Sequence, residues 1–336
     1  VVVTDLTYND AAVDFAATTA KMTEHFRTHT ALQCITGFIA SSPCGETTCL
    51  GRGAGDYSAA IVGSCLQACE IHIWTDVPGV LTADPRVVGQ DKALPIRTMT
   101  YEEALEFTHF GAKVLMTSTM APAMKANIPI RIKSTFQPDD PGTVVANSAE
   151  PSQFAIRGVT TLGNVALLNI AGKALKTVSD IAGRLLISLA KASIQVVLVS
   201  QASVVHSISV AIREADIDRA RRVAEEEFAR EIEAGVVDSV NIDPEVAIIS
   251  VVGLFHETPG VLGNFTEVLG RTGINIYALA SGACEKNITC MIPSACTRRA
   301  VQAVHEHFFG AAGPRPAKRQ RVACGDVVAA ATPEAR

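Results

Sequence analysis

Residues 47–88, TTCLGRGAGDYSAAIVGSCLQACEIHIWTDVPGVLTADPRVV, decide the fold. The first four residues read as a strand, the glycines at 51, 53 and 55 as a loop, and the small-residue run to Ala68 as a helix. Residues 70–76 then form a second strand that opens into a Pro- and Asp-rich loop. Strands alternating with helices at this spacing predict an α/β layer architecture, whose ligands sit at the carboxyl ends of the strands. Upstream, LQCITGFIA (32–40) reads as another short apolar strand. Downstream, TYEEALEFTHFGAKVL (100–115) places Ala104, Leu105, Thr108 and Ala112 at helical spacing, with Glu102 and Glu103 in the first turn, where the helix dipole favours acids.

The Pro-, Asp- and Ser-rich stretch 136–154 sets a boundary near residue 150. Beyond it one pattern occurs twice. The first copy runs strand VALLNIA (165–171), helix Leu175–Ala192, strands IQVVLVS (194–200) and HSISVAI (206–212), and helix Asp216–Ile232. The second runs strand VAIISVVG (246–253), helix 258–273, strands INIYALA (274–280) and NITCMIP (287–293), and a helix to Phe309. Each sheet is too small to cover both of its faces, so the two copies are expected to pack together.

The chain's 336 residues leave room for two or three domains, and 48% hydrophobic with 19% charged residues suits a packed soluble protein. A net charge of -5 offers no basic surplus for a phosphate backbone, which excludes nucleic acid as the main partner. Nine cysteines without paired CxxC spacing argue against a disulfide framework and a structural zinc site. His305 and His307 point to different helix faces, so no metal site is assigned. The most apolar stretch, 181–199, is interrupted by Arg184, Lys191 and Gln195 and makes a poor bilayer span. The opening VVVTDLTYND has neither an initiating Met nor a signal pattern, so the chain is expected to begin mid-gene. The expected compartment is the cytoplasm, or a plastid if a transit peptide precedes these residues. Residues 311–336 read as a disordered tail in which AKRQR (317–321) is solvated charge or a localisation patch.

Glycines before a helix let a ligand approach backbone N–H groups and a dipole that favours anions. Arg52 adds a carboxylate or phosphate fork. The strand at 70–76 delivers Trp74, Thr75 and Asp76 to a loop that returns with Asp84, Pro85 and Arg86. A hydroxyl for ribose or phosphate, an Arg for phosphate charge and acids for magnesium or ribose suit a nucleotide. The Asp84-Pro85 pair also suits a simple turn.

TGFIASSPCGETTCLGRGAGDYSAA (36–60), EIHIWTDVPGVLTADPRVV (70–88), the helix at 100–115 and ANIPIRIKSTFQPDDPGT (126–143) resemble, in order and spacing, the second half of aspartate kinases. The look is nearest to the kinase portion of bifunctional aspartokinase/homoserine dehydrogenases. The resemblance implies the C-terminal part of an amino-acid-kinase α/β sandwich (1–147) followed by two ferredoxin-like ACT (βαββαβ) modules at 155–243 and 244–310. It implies ATP-dependent phosphorylation of the L-aspartate β-carboxylate, the first step toward lysine, threonine and methionine, with ATP and Mg2+. By the same resemblance, Arg52, Gly53, Ala54 and Gly55 hold aspartate, and Asp56 with Arg52 serves the reacting centre. Thr75, Asp76, Leu81, Asp84, Arg86, Lys113 and Val114 border ATP. The sequence departs from the family at Ala54 (usually Gly), Gly55 (usually Ser) and Met116-Thr117 (usually His-Pro), and the family's Lys-Phe-Gly-Gly segment is not among these residues. These departures imply weak or no activity from these residues alone. The alternative expectation is an impaired fragment or a regulatory subunit that binds an amino acid and dimerises.

ETPGVLGNFTEVLGRTGINI (257–276) is close to the general ACT pattern. The resemblance implies threonine or lysine as effector, met by Gln201, Ser203 and Glu285, and a homodimer formed through the ACT modules.

Overall fold

The computed structural model describes residues 2–51, 53–112, 115–172, 178–202, 207–255, 258–282, 286–311, 313 and 314. Arg52, Lys113, Val114, Ser203, Glu285 and nearly all of the tail expected at 311–336 lie outside the described residues. No described helix is long and apolar enough to cross a membrane.

The chain opens with α1 (Phe15–Thr28), capped by the Asp14 carboxylate, which accepts from the Ala17 N–H. A short hairpin follows, β1 (Ile39–Ser41) with β2 (Thr47–Cys49). The strand expected over 32–40 is therefore only a stub. Phe38 takes a φ of 73°, which breaks an extended run, and Leu32 is fully exposed with nothing to pack against. Next come α2 (Gly55–Cys65), β3 (Ile71–Thr75), α3 (Pro85–Val88), β4 (Thr98–Thr100), α4 (Tyr101–His109), α5 (Thr117–Ala126), β5 (Ile130–Ser134) and β6 (Thr143–Ala146). The four strands form a sheet in the order β3-β5-β6-β4, parallel at both outer pairs and antiparallel in the middle. Ala60, Ile73, Phe107, Met120 and Ile130 join the sheet and its helices in one core. Helix α4 begins with a capping box: Thr100 accepts from the Glu103 N–H, and Glu103 accepts from the Thr100 N–H.

The repeat is present, and its two units share their central strands. Strand β7 (Gly158–Ala171) leads to α6 (Val178–Lys191), β8 (Val196–Ala202), β9 (Ser207–Arg213), α7 (Ile217–Glu227) and α8 (Ala229–Glu233). Then follow β10 (Ser239–Val252), α9 (Val261–Arg271), β11 (Ala278–Ser281), β12 (Asn287–Pro293) and α10 (Thr297–Phe309). All six strands share one sheet, ordered β11-β12-β10-β7-β9-β8. Its two central strands are each 14 residues long and serve both units. Residues 165–170 of β7 pair with β9, whereas residues 158–162 pair with the end of β10, which in turn pairs with β12. The fourth strand of the second unit is thus supplied by residues that precede the first. Irregular register at Asp243–Val246 and Val246–Ile248 lets the sheet bend, so that the edge strands β8 and β11 touch. Leu162, Val165, Leu198, Ile248, Ala278 and Met291 fill the space between its halves. The single helix expected over 216–232 is broken at Phe228, which is fully buried and leaves helical geometry.

Candidate functional site

A cavity of about 670 Å³ opens at the carboxyl end of β3, within the size range of small-molecule sites. Its polar wall comes from three segments: Asp56 from the first turn of α2, Thr75 and Asp76 from the end of β3, and Asp84 and Arg86 from the following loop. Apolar side chains of Ile73, Leu81, Phe107, Ile132 and Val159 complete it. Six residues that the resemblance assigns to the site, Asp56, Thr75, Asp76, Leu81, Asp84 and Arg86, therefore share one hollow.

Each polar group has a structural reason for its place. The alternation in Ile71–Thr75 buries Ile71 and Ile73, leaving Trp74 exposed and Thr75 at the mouth. The Thr75 hydroxyl donates to Asp76 Oδ1 at 3.1 Å. Asp84 caps α3 by accepting from the Arg86 N–H at 2.8 Å, with Pro85 in the first helical position. Both carboxylate oxygens of Asp84 also receive the Arg86 guanidinium, at 3.0 Å from Nε and 2.7 Å from Nη2. This pairing holds the Asp84 carboxyl below its ordinary range. The turn function weighed for Asp84-Pro85 is realised, and the same turn presents Arg86 to the cavity. Burial raises the Asp56 carboxyl above its ordinary value.

The glycine loop lies beside this cavity rather than in its lining. Ala54 is buried in a core with Met22, Leu50 and Ile61, so its methyl group faces away from any ligand and only its backbone is available. Gly55 has open space around it, and a serine side chain would fit there. Gly53, which keeps the family's glycine, adopts a φ of 73°, and a Cβ there would stand 3.1 Å from the Sδ of Met116, one of the departures from the family pattern. Gln201 is exposed on the edge strand β8, far along the chain from the cavity.

Other lining residues carried no sequence signal. Gly111 closes the far wall with a φ of 99°, and a Cβ on it would lie 2.4 Å from the Thr161 carbonyl oxygen. Thr160 and Thr161 come from the start of β7, and Val301 comes from α10. Amphipathic spacing marks Val301 as a core residue, and nothing local indicates that this core reaches residue 83.

The model of the amino acid kinase family matches residues 3–134, and that of the ACT domain matches residues 168–228 and 249–308. The crystal structure of E. coli aspartokinase III in complex with lysine and aspartate is 30% identical in sequence, with a TM-score of 0.69, over 92% of this chain and 68% of that one. The chain belongs to the aspartokinase family. The complex of the same E. coli enzyme with aspartate and ADP superimposes with a TM-score of 0.73 at 29% identity, covering 91% of this chain and 67% of that one. A bifunctional aspartokinase/homoserine dehydrogenase from Haemophilus influenzae is 36% identical over 274 residues, which is 81% of this chain and 33% of that protein. This aspartokinase-family chain thus spans about a third of the length of that bifunctional relative.

Proposed function

We propose that this chain carries the nucleotide side of an aspartate kinase and the amino-acid-sensing modules that regulate it. The observation that carries this reading is the convergence of Asp56, Thr75, Asp76, Leu81, Asp84 and Arg86 on one cavity at a strand's carboxyl end. Leu81, Phe107 and Val159 offer an apolar face for a purine, Thr75 and Asp76 suit the ribose, and Arg86 suits phosphate charge. In the reaction, a β-carboxylate oxygen of aspartate attacks the γ-phosphorus of ATP. The bond from that phosphorus to the β,γ-bridging oxygen breaks, its electron pair leaves with ADP, and β-aspartyl phosphate forms. A carboxylate attacks already deprotonated, so the protein contributes positioning and charge neutralisation rather than a general base.

Magnesium would travel with the nucleotide and neutralise its phosphates. Asp56 and Asp76 supply oxygen donors of the kind it prefers, whereas both Asp84 oxygens are taken by Arg86. Among the described residues, no group of three His, Cys, Asp or Glu stands close enough to hold a metal ion. Threonine or lysine is the proposed effector, with Gln201, Ser203 and Glu285 as its contacts. The complex of the E. coli relative with lysine supports that choice. Exposed Ile187, Val199, Leu262, Tyr277 and Leu279 on the two units support a homodimer formed through them.

The single tryptophan of the chain, Trp74, lies in the lining of the cavity and is 47% exposed. Titration with Mg-ADP should therefore change its fluorescence saturably, with a Kd below about 1 mM. Arg86→Ala should weaken binding about tenfold by removing a charge-assisted contact to phosphate. A flat titration at millimolar nucleotide, confirmed by calorimetry, would refute the assignment. Should threonine or lysine nevertheless raise the melting temperature of such a nucleotide-silent chain, the regulatory-subunit alternative would take its place.

A further inference from the structure

The second sensing unit does more than lie beside the kinase layer. Its core, built from Ile249, Phe265, Val304 and Phe308, runs without a break into Ala83, with Val87 and Val88 packed against it. Ala83 and Val87 line the cavity, as does Val301 of α10. Along α10, three polar side chains at positions 298, 302 and 305 lie on one helical stripe and reach successive points of the same loop. The Arg298 guanidinium donates to the Arg86 carbonyl at 3.1 Å, the Gln302 amide donates to the Val87 carbonyl at 2.8 Å, and His305 Nε2 stands 2.9 Å from Thr82 Oγ1.

The inner contact is a shared one. Thr82 Oγ1 accepts from the Leu94 N–H at 3.0 Å and keeps both its own proton and a second lone pair for His305 Nε2. The bond therefore forms with either neutral tautomer of the imidazole. The imidazole is 3% exposed and stacked on Phe309 at 4.7 Å. The charged groups facing it are Lys92, from the nucleotide loop's return, and Glu306, from α10 itself, and these two pair at 3.5 Å. Thr82 is also tied through its backbone: its N–H donates to the Leu94 carbonyl, and its carbonyl accepts from the Val159 N–H. The His305 contact therefore joins the base of the loop, where Leu81 and Ala83 face the cavity, to the last helix of the second ACT unit.

We propose that His305 is a positioning residue for the nucleotide: with Gln302 and Arg298 it sets the placement of Leu81–Arg86, and so makes α10 a working part of the nucleotide site. The proposal rests on the nucleotide assignment of that cavity. A shift of α10 relative to the kinase layer moves three anchor points at once, so nucleotide affinity reports the state of the second unit directly.

The test is the Kd for Mg-ADP, read by Trp74 fluorescence on the full chain below its melting temperature. His305→Leu keeps the bulk and loses the hydrogen bond to Thr82, and should raise the Kd about tenfold. His305→Gln places an amide, able to donate or accept, at the same reach and should restore the Kd to within about twofold of the wild type, a rescue that simple core filling would not produce. Gln302→Ala, at the surface, should raise the Kd roughly threefold with an unchanged melting temperature, and it decides the matter if His305→Leu does not fold. Wild-type affinity in a folded His305→Leu, a failed rescue by His305→Gln, or, where His305→Leu does not fold, wild-type affinity in Gln302→Ala would overturn the positioning role while leaving the nucleotide site standing. Absence of binding by the wild type would instead remove the nucleotide site and this inference with it.

Discussion

Breaking the buried ion pair between Glu103 and Arg157 should destabilise the kinase layer more than any surface change. Glu103 is fully buried and Arg157 nearly so, with the Arg157 Nε 2.9 Å from Glu103 Oε1. The other carboxylate oxygen accepts the Thr100 N–H at 2.8 Å, and Arg157 Nη2 donates to the Glu150 carbonyl at 2.5 Å. The pair thus fastens the start of α4 to the segment that enters β7. Glu103→Gln retains an acceptor for Thr100 but strands a buried guanidinium, and Arg157→Met strands a buried carboxylate. Each should cost about 3–5 kcal/mol, because the remaining charge keeps its desolvation penalty without its partner. Against a total stability on the order of 5–15 kcal/mol, either loss is large. The double variant removes both penalties and should lie within about 2 kcal/mol of the wild type, giving a coupling energy above about 3 kcal/mol. Urea unfolding followed by Trp74 fluorescence isolates the kinase layer, since that layer holds the only tryptophan. Single variants each losing under about 1 kcal/mol, or a double variant losing the sum of the singles, would show that the pair is solvated and does not act as a joint.

Two further outcomes are expected. Gly111→Ala should destabilise the fold by about 1–3 kcal/mol from its positive φ alone, and more from the approach of its Cβ to the Thr161 carbonyl oxygen; a melting temperature equal to the wild type would contradict the crowded wall. Burial lowers the His305 pKa below the ordinary imidazole value, so in acid the unfolded chain binds a proton that the folded chain resists. Stability is then fully present above about pH 6.5 and falls as pH drops from there toward the lowered folded value. Comparing melting temperatures of the wild type and His305→Gln from pH 7.5 to 5 tests this, since an equal slope in both proteins would mean that another group is responsible.

The cavity residues were legible because Asp56, Thr75, Asp76, Asp84 and Arg86 lie within one continuous stretch, where strand alternation and turn chemistry fix side-chain direction locally. Ala54 was misleading for the same reason: the loop pattern marks the position for a ligand, while packing sends the methyl group into the core. Glu103 shows a partial success. Its place in the first turn of α4 was evident, but its buried partner lies 54 residues away and leaves no local mark. The expectation of a strand over 32–40 exceeds β1 because an apolar run is not sufficient: a strand also needs a neighbour to pair with, and β2 offers only three residues.

The repeat is legible as two copies that must pack together, but the way they share their strands leaves no mark in the sequence. Because β7 and β10 each run through both units, a displacement of the first unit cannot be absorbed by a linker; the shared backbone ladder must carry it or break. β7 also begins where Arg157 meets Glu103 and where Thr160 and Thr161 face the cavity. The second unit also reaches the same cavity through Val301 of α10. One strand shared by both ACT units and one helix of the second therefore border the proposed nucleotide site. An effector bound far out on β8 needs only to change the bend of this sheet to alter the cavity, since the bend is set at the irregular pairing between Asp243 and Ile248 rather than by any hinge between the units.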